Sequence, residues 1–193
     1  MATSASRRSQ PVHDPRVLRA IAHPVRNRIL AELSASGPLR AADIARELDV
    51  PANQASFHLR QLAKYGVVEE DPEAARDKRD RVWRLVAEEG LTVNLAELEA
   101  QPGGRAAATV WRRSASAWAH AVVDRAYTGK REKDTFSSIT DHPVRLTKAE
   151  AEELARDLDD VLVRWAERTR GRGDGDQRRT YLLFQILQPH PDR

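Results

Sequence analysis

Cysteine is missing from all 193 residues, which removes disulfides, thiolate metal sites, iron–sulfur clusters and cysteine nucleophiles from consideration. Long apolar runs are missing too: nothing approaches the roughly 18 consecutive apolar residues of a membrane span. Residues 1–10 are polar and lack the apolar stretch of a secretory leader, so a soluble cytoplasmic protein with no membrane partner is expected. Aromatic side chains make up only 5%, and the four tryptophans are scattered rather than clustered. An excess of one charge is also lacking. The formal net charge is +3, with fifteen basic and thirteen acidic residues before Gly90 and seventeen and sixteen after it, so neither half is a polycation.

Signs of catalysis are equally sparse. The chain has no glycine-rich phosphate loop after a strand, no GxSxG, no HExxH and no convincing Ser/His/Asp arrangement, so neither an enzyme nor a cofactor is expected. Residues 171–176 are rich in glycine and aspartate, but they follow a helix rather than open one and read as a linker. His13, His23, His58, His120, His142 and His190 show no ligand spacing, so no metal is expected.

What the first half does contain is a series of short amphipathic segments. Residues 1–11 read as a disordered tail. Asp14 suits an N-cap before Pro15, and Leu18, Ile21, Val25, Ile29 and Leu33 follow at helical spacing. Pro24 interrupts that pattern, so a kink or break is expected near His23, itself given a structural role. Residues 41–48 form a short helix through Ile44, Ala45 and Leu48. The turn Asp49-Val50-Pro51 leads into a second helix, residues 52–65, that buries Ala55, Leu59 and Leu62 and stops at Gly66. Two β runs, 67–70 and 81–86, then flank a charged tip and read as a hairpin. Helix, turn, helix and ribbon in this order predict a winged helix-turn-helix, which lays its second helix in the DNA major groove.

The second helix carries the strongest functional signal. With its apolar side turned inward, it presents Asn53, Gln54, Ser56, Phe57, Arg60, Gln61 and Lys64, and His58 is placed near the same face. No acidic residue occurs from Val50 through Val68, although the flanking segments are rich in them. A helix entering a polyanionic groove needs donors and no carboxylates. Asn and Gln amides can read adenine edges and Arg can pair with guanine, while Ser56 and Lys64 suit phosphates. The bland alternative for such a face is simple solvation. On the ribbon tip Arg76, Lys78 and Arg79, with Arg81 beyond, suit phosphate or minor-groove contact, though a charged tip is also an ordinary surface.

The stretch Leu18-Arg-Ala-Ile-Ala-His-Pro-Val-Arg-Asn-Arg-Ile-Leu30, then Ala55-Ser-Phe-His-Leu-Arg-Gln-Leu62 and Tyr65-Gly-Val-Val68, resembles the ArsR-type winged-helix transcriptional regulators of bacteria. The resemblance covers about residues 12–87. It implies a dimeric repressor or activator on a roughly palindromic operator, with Ser56 and His58 on the DNA-facing helix and Arg76, Lys78, Arg79 and Arg81 on the wing. Many members of the family sense metals through cysteines, which this chain lacks.

Beyond Gly90 the pattern changes, and residues 91–193 are expected to form a dimerisation or effector domain after a winged helix-turn-helix spanning 12–90. Residues 91–100 have no clear assignment. An amphipathic helix over 105–127 places Trp111 and Trp118 on one stripe suited to a symmetry mate. A weak strand is expected over 134–140. Thr147 and Glu150 form a capping box for a helix burying Leu154, Leu158, Val161, Leu162 and Trp165, and 180–187 reads as a buried strand. Trp165, Tyr181 and Phe184 could line a pocket for a small apolar effector, with ordinary core packing as the alternative. The fold class expected is α+β: a winged helix-turn-helix, a long helix and a small α/β C-terminal domain. The function expected is sequence-specific binding of double-stranded DNA by a homodimeric regulator. The alternative is a winged-helix interaction scaffold without sequence-specific DNA binding.

Overall fold

A computed structural model describes residues 10–75, 81–87, 90–130, 133–170 and 178–190. The chain divides into two compact units, Met1–Ser116 and Ala117–Arg193. The boundary therefore falls well after the expected position near residue 90, because the segment that follows the hairpin joins the first core. Most of the expected tail, residues 1–9, lies outside the described residues, as do 76–80 and 171–177.

In the first unit β1 (Gln10–Val12) runs parallel to β5 (Leu91–Val93), and α5 (Leu95–Glu99) follows. The Asn94 side chain caps α5, and Leu98 is wholly buried in the common core. The tail reading is thereby corrected at Gln10 and Pro11, which pair with Leu91 and Thr92, and 91–99 had no assignment because each piece is too short to show a period. The helical core comprises α1 (Pro15–Ile21), α2 (Pro24–Ser36), α3 (Ala41–Leu48) and α4 (Ala52–Lys64). A small antiparallel sheet closes it in the order β2 (Leu39–Arg40), β4 (Val82–Leu85), β3 (Val68–Glu70). The β3–β4 pair is the expected hairpin; β2, only two residues long, was not foreseen.

The turn between α3 and α4 needs Asp49 in the left-handed region, with φ of 50°. Ile44, Leu48, Leu59 and Leu62 meet beneath it with Ile29 and Leu33 of α2. Complete burial of each large aliphatic contributes on the order of 1.5–3 kcal/mol. Arg28 closes the same joint, its Nη2 donating to the Leu48 carbonyl at 2.7 Å where α3 has run out of helical partners.

The expected break at His23 separates α1 from α2. His23 becomes the N-cap of α2, its Nδ1 accepting from the Val25 amide at 3.2 Å. From α2, Arg26 donates through Nε to the Ala20 carbonyl at the end of α1, so one side chain holds the two helices end to end. The His23 ring lies 4.6 Å, centroid to centroid, from His58 of α4. Burial lowers the pKa of both rings, and the Arg26 charge adds to that effect at each; at His58 the His23 ring contributes as well. Both are therefore held as neutral bases at the α1–α2–α4 junction.

The long helix α6 (Gly104–Thr128) starts against α5. A Cβ on Gly104 would lie 1.7 Å from the Leu98 carbonyl oxygen, so only glycine permits this approach. In the second unit α7 (Lys148–Thr169) begins with the expected capping box, Thr147 and Glu150 satisfying each other's amides. Its packing differs from expectation. No residue of α7 is buried, so Leu154, Leu158, Val161, Leu162 and Trp165 do not enter a core. Residues 134–140 and 180–187 enter no strand, and Tyr181, Leu183 and Ile186 stand exposed. Their spacing reported an apolar face correctly, but periodicity does not say whether anything covers it.

Two outcomes are expected. Gly104→Ala should destabilise the first unit by about 2 kcal/mol or more, seen as an earlier denaturant midpoint; an unchanged midpoint would contradict the close approach. Acid should destabilise the protein, because the histidine values are lowered on folding and the unfolded chain binds protons first. The midpoint should hold above the ordinary histidine value of about 6.5 and drop as pH falls through the lowered values. His23→Asn keeps a capping acceptor and should flatten that drop; equal slopes would clear the pair of responsibility.

Candidate nucleic-acid interface

The exposed side of α4 follows from which of its residues the core takes. Ala55, Leu59 and Leu62 are wholly buried, and the opposite side carries Asn53, Phe57, Arg60 and Lys64, all exposed. These four are spaced four, three and four residues apart, so they form one stripe along the helix. Gln54 is exposed beside the stripe, while Ser56 and Gln61 are half-buried on its two flanks. Arg60 makes no hydrogen bond or ion pair among the described residues, and Lys64 Nζ sits 5.9 Å from the Tyr65 ring centroid. Phe57, half-exposed in the middle of the polar stripe, meets the His58 ring edge-on. The stripe offers amides, a guanidinium, an ammonium and one apolar surface, and no carboxylate.

The start of α4 adds to this character. Pro51 is its N-cap and supplies no side-chain cap. Its carbonyl accepts from Gln54 and Ala55, and the Asn53 Oδ1 accepts from the Gln54 amide at 2.9 Å, which leaves the amides of Ala52 and Asn53 without a helical partner. Such amides carry the positive end of the helix dipole and favour an anionic neighbour.

His58 is a correction. Only 5% of it is exposed, and its ring lies against that of His23 at a tilt of 41°, so it cannot contribute to the outward face where the sequence reading placed it. The signal was available. His58 is three residues after Ala55 and four before Leu62, which puts it on the core side of the helix.

The wing divides into a neutral stem and a tip. Glu69 faces Arg84 across the β3–β4 ladder at 2.7 Å, and Glu70 meets Arg81 at 3.4 Å. Arg81 is thus occupied within the stem. The Asp71 carboxylate accepts from the Glu73 and Ala74 amides and turns the chain toward the tip. Arg76, Lys78 and Arg79 lie outside the described residues.

One basic surface escaped the sequence reading. Arg16 and Arg19 of α1, Arg26 of α2, and Gln61 and Tyr65 of α4 line an open cavity of about 180 Å³. Three arginines reach it from two helices, a convergence that linear spacing cannot show. Asp14 pairs with Arg16 at 3.0 Å, and its carboxyl is held below the usual range mainly by that hydrogen bond.

The aromatic residues expected to form an effector pocket or dimer core divide between the two units, Trp111 in the first and Trp118, Trp165, Tyr181 and Phe184 in the second. Trp111 packs against the first core. Trp118 is half-buried, Tyr181 and Trp165 are more than half exposed, and Phe184 is only somewhat less so. Among the described residues no three or more His, Asp or Glu gather as a metal site, and no helix is long and apolar enough to cross a membrane.

Residues 21–71 match the family model described as a helix-turn-helix domain. No curated protein matches the chain. Among solved structures, it is similar to the homodimeric winged helix-turn-helix DNA-binding domain of a possible ArsR-family transcriptional regulator from Mycobacterium bovis. That alignment has 23% identity over 61% of this chain and 83% of that one, with a TM-score of 0.33. It is also similar to wild-type MarR from E. coli in apo form, at 16% identity over 78% and 88% and a TM-score of 0.34. A ZitR mutant from Lactococcus lactis in apo form aligns at 14% identity over 75% and 83%, with a TM-score of 0.31. Scores this low carry no argument of their own, and the assignment rests on the family match together with the α3–turn–α4 geometry. Residues 21–71 are a helix-turn-helix domain, which the β3–β4 hairpin extends into the winged form within a longer α+β chain.

Proposed function

We propose that the chain is a sequence-specific, double-stranded-DNA-binding transcriptional regulator of the ArsR type that acts as a homodimer. The observation that carries this reading is the carboxylate-free stripe Asn53–Phe57–Arg60–Lys64 on a helix whose other side is locked into the core. A stripe of this composition complements the major groove: amides and guanidinium for base edges, an ammonium for phosphate, and a phenyl ring for a thymine methyl. Gln54, Ser56 and Gln61 flank it and serve as further base or phosphate contacts. Arg76, Lys78 and Arg79 are assigned to backbone or minor-groove contact from their sequence alone. The cavity lined by Arg16, Arg19 and Arg26 supports a further phosphate contact near the end of α4. A twofold arrangement suits the reading because one short helix covers only a half-site.

Selection of bound duplexes from a random pool is expected to enrich one motif with twofold symmetry. No enrichment would sink the proposal and favour a protein-interaction scaffold. Affinity for the selected duplex should fall steeply between low and physiological salt. Arg60→Ala should cost about 1–3 kcal/mol on that duplex and relax preference at one position. A loss of equal size on every sequence would make Arg60 a phosphate contact instead.

A further inference from the structure

The cavity between α1, α2 and the end of α4 has a charge balance that the fold itself does not close. Arg16, Arg19 and Arg26 line it with Ala20, Gln61 and Tyr65, and among the described residues no acidic side chain does. Asp14 answers Arg16 alone, accepting from Nε at 3.1 Å and from Nη2 at 3.0 Å. The exposed Arg19 side chain makes no hydrogen bond or ion pair among the described residues. Arg26 is half-buried, and its Nε and Nη2 donate to the Ala20 and Arg19 carbonyls, which carry no formal charge. Burial lowers the Arg26 value, and the Tyr65 phenol facing it opposes that only in part. One carboxylate thus stands against three guanidinium groups.

The charge left over is that of Arg19 and Arg26, and a dianion would balance it. The donors suit one with several oxygens. Arg16 and Arg26 have engaged Nε and Nη2, which leaves Nη1 of each, and Arg19 keeps its whole fork. The Gln61 amide and the Tyr65 hydroxyl add two neutral donors on the α4 side. Arg26 also covers the Ala20 and Arg19 carbonyls, whose negative ends at the close of α1 would otherwise repel an anion. A carboxylate brings one charge and would leave one guanidinium unanswered. A phosphate group brings about −1.5 to −2 near neutral pH and three acceptor oxygens. At about 180 Å³ the cavity is smaller than the roughly 300 Å³ of the smallest drug-sized pockets, so it suits an ion or the phosphate end of a larger molecule.

From these observations we infer that the cavity is an oxyanion seat, in which Arg16, Arg19 and Arg26 with Gln61 and Tyr65 hold one phosphate group and so tie α1 and α2 to the end of α4. Two sources supply that chemistry, a free phosphate or phosphate monoester in solution and the backbone of a duplex, and the same donors serve both. The inference goes beyond the DNA reading, because the seat takes its anion in the chain alone, with no duplex present.

The test uses the full chain and inorganic phosphate, titrated at constant ionic strength and read by phosphorus NMR and the thermal midpoint. Saturable binding of one phosphate per chain is expected, with a rising midpoint that chloride at the same ionic strength does not reproduce. Arg19→Gln removes a side chain that holds nothing in the fold, so it should weaken phosphate by about tenfold or more while leaving the phosphate-free midpoint in place. Arg113→Gln, the same charge change at an exposed position of α6, should leave the affinity within about twofold. No saturable binding would overturn the inference, as would equal losses in the two variants, which mean diffuse positive charge and no seat. Repeating the titration with a selected duplex separates the sources: competition assigns the seat to backbone phosphate, undiminished binding assigns it to a free phosphate, and either upholds it. A chain that binds its duplex but takes no phosphate overturns the seat and leaves the DNA reading standing. Phosphate bound by a chain that selects no duplex does the reverse.

Discussion

The packing of α4 on α2 and α3 is the constraint on which the remaining arrangement depends. Ala55, Leu59 and Leu62 must turn inward onto Ile29, Leu33, Ile44 and Leu48, and once they do, helical geometry leaves the rotation of α4 no freedom. The polar stripe then faces outward as a consequence of core formation. Two devices hold the scaffold that receives α4. Arg28 ties the end of α3 to α2, and Arg26 with His23 joins α1 to α2 where Pro24 forbids a continuous helix. The core contact and the polar stripe are thus opposite sides of a single helix, and one fixes the other.

Much of this was legible because the signals were local. The bounds of α3 and the stop at Gly66, with φ of 65°, follow from apolar spacing and turn residues. The break at His23 follows from Pro24, and the Thr147 cap from residue types three apart. The features that were not legible are non-local. The β1–β5 pair joins residues some eighty positions apart, from about 10 to 93, through elements of three residues each. The contact of Gly104 with the Leu98 carbonyl depends on how two helices meet, which no spacing rule encodes. His58 was misplaced for a different reason: its residue type suggested an outward role, while its helical angle placed it with the core.

The two units treat their apolar residues in opposite ways. In the first, Leu18, Ile29, Ile44 and Leu98 are wholly enclosed, and the charges that remain outside are largely paired or held by carbonyls. In the second, a helix with a sound N-terminal cap carries its leucines and tryptophan into the open. A capping box starts a helix regardless of what lies beside it, so local order in α7 and an unfinished core are compatible. The sequence pattern of α7 described the helix well and was silent about its surroundings.

The ion pairs of the wing stem have a consequence for how such a hairpin can change. Glu69 with Arg84 and Glu70 with Arg81 cancel within the two strands, so the stem projects little field of its own. Insertions, deletions or swapped charges beyond Asp71 would therefore redirect the tip without unbalancing the strands that carry it. The two strands behave as a mount whose own charge balance does not depend on what it carries.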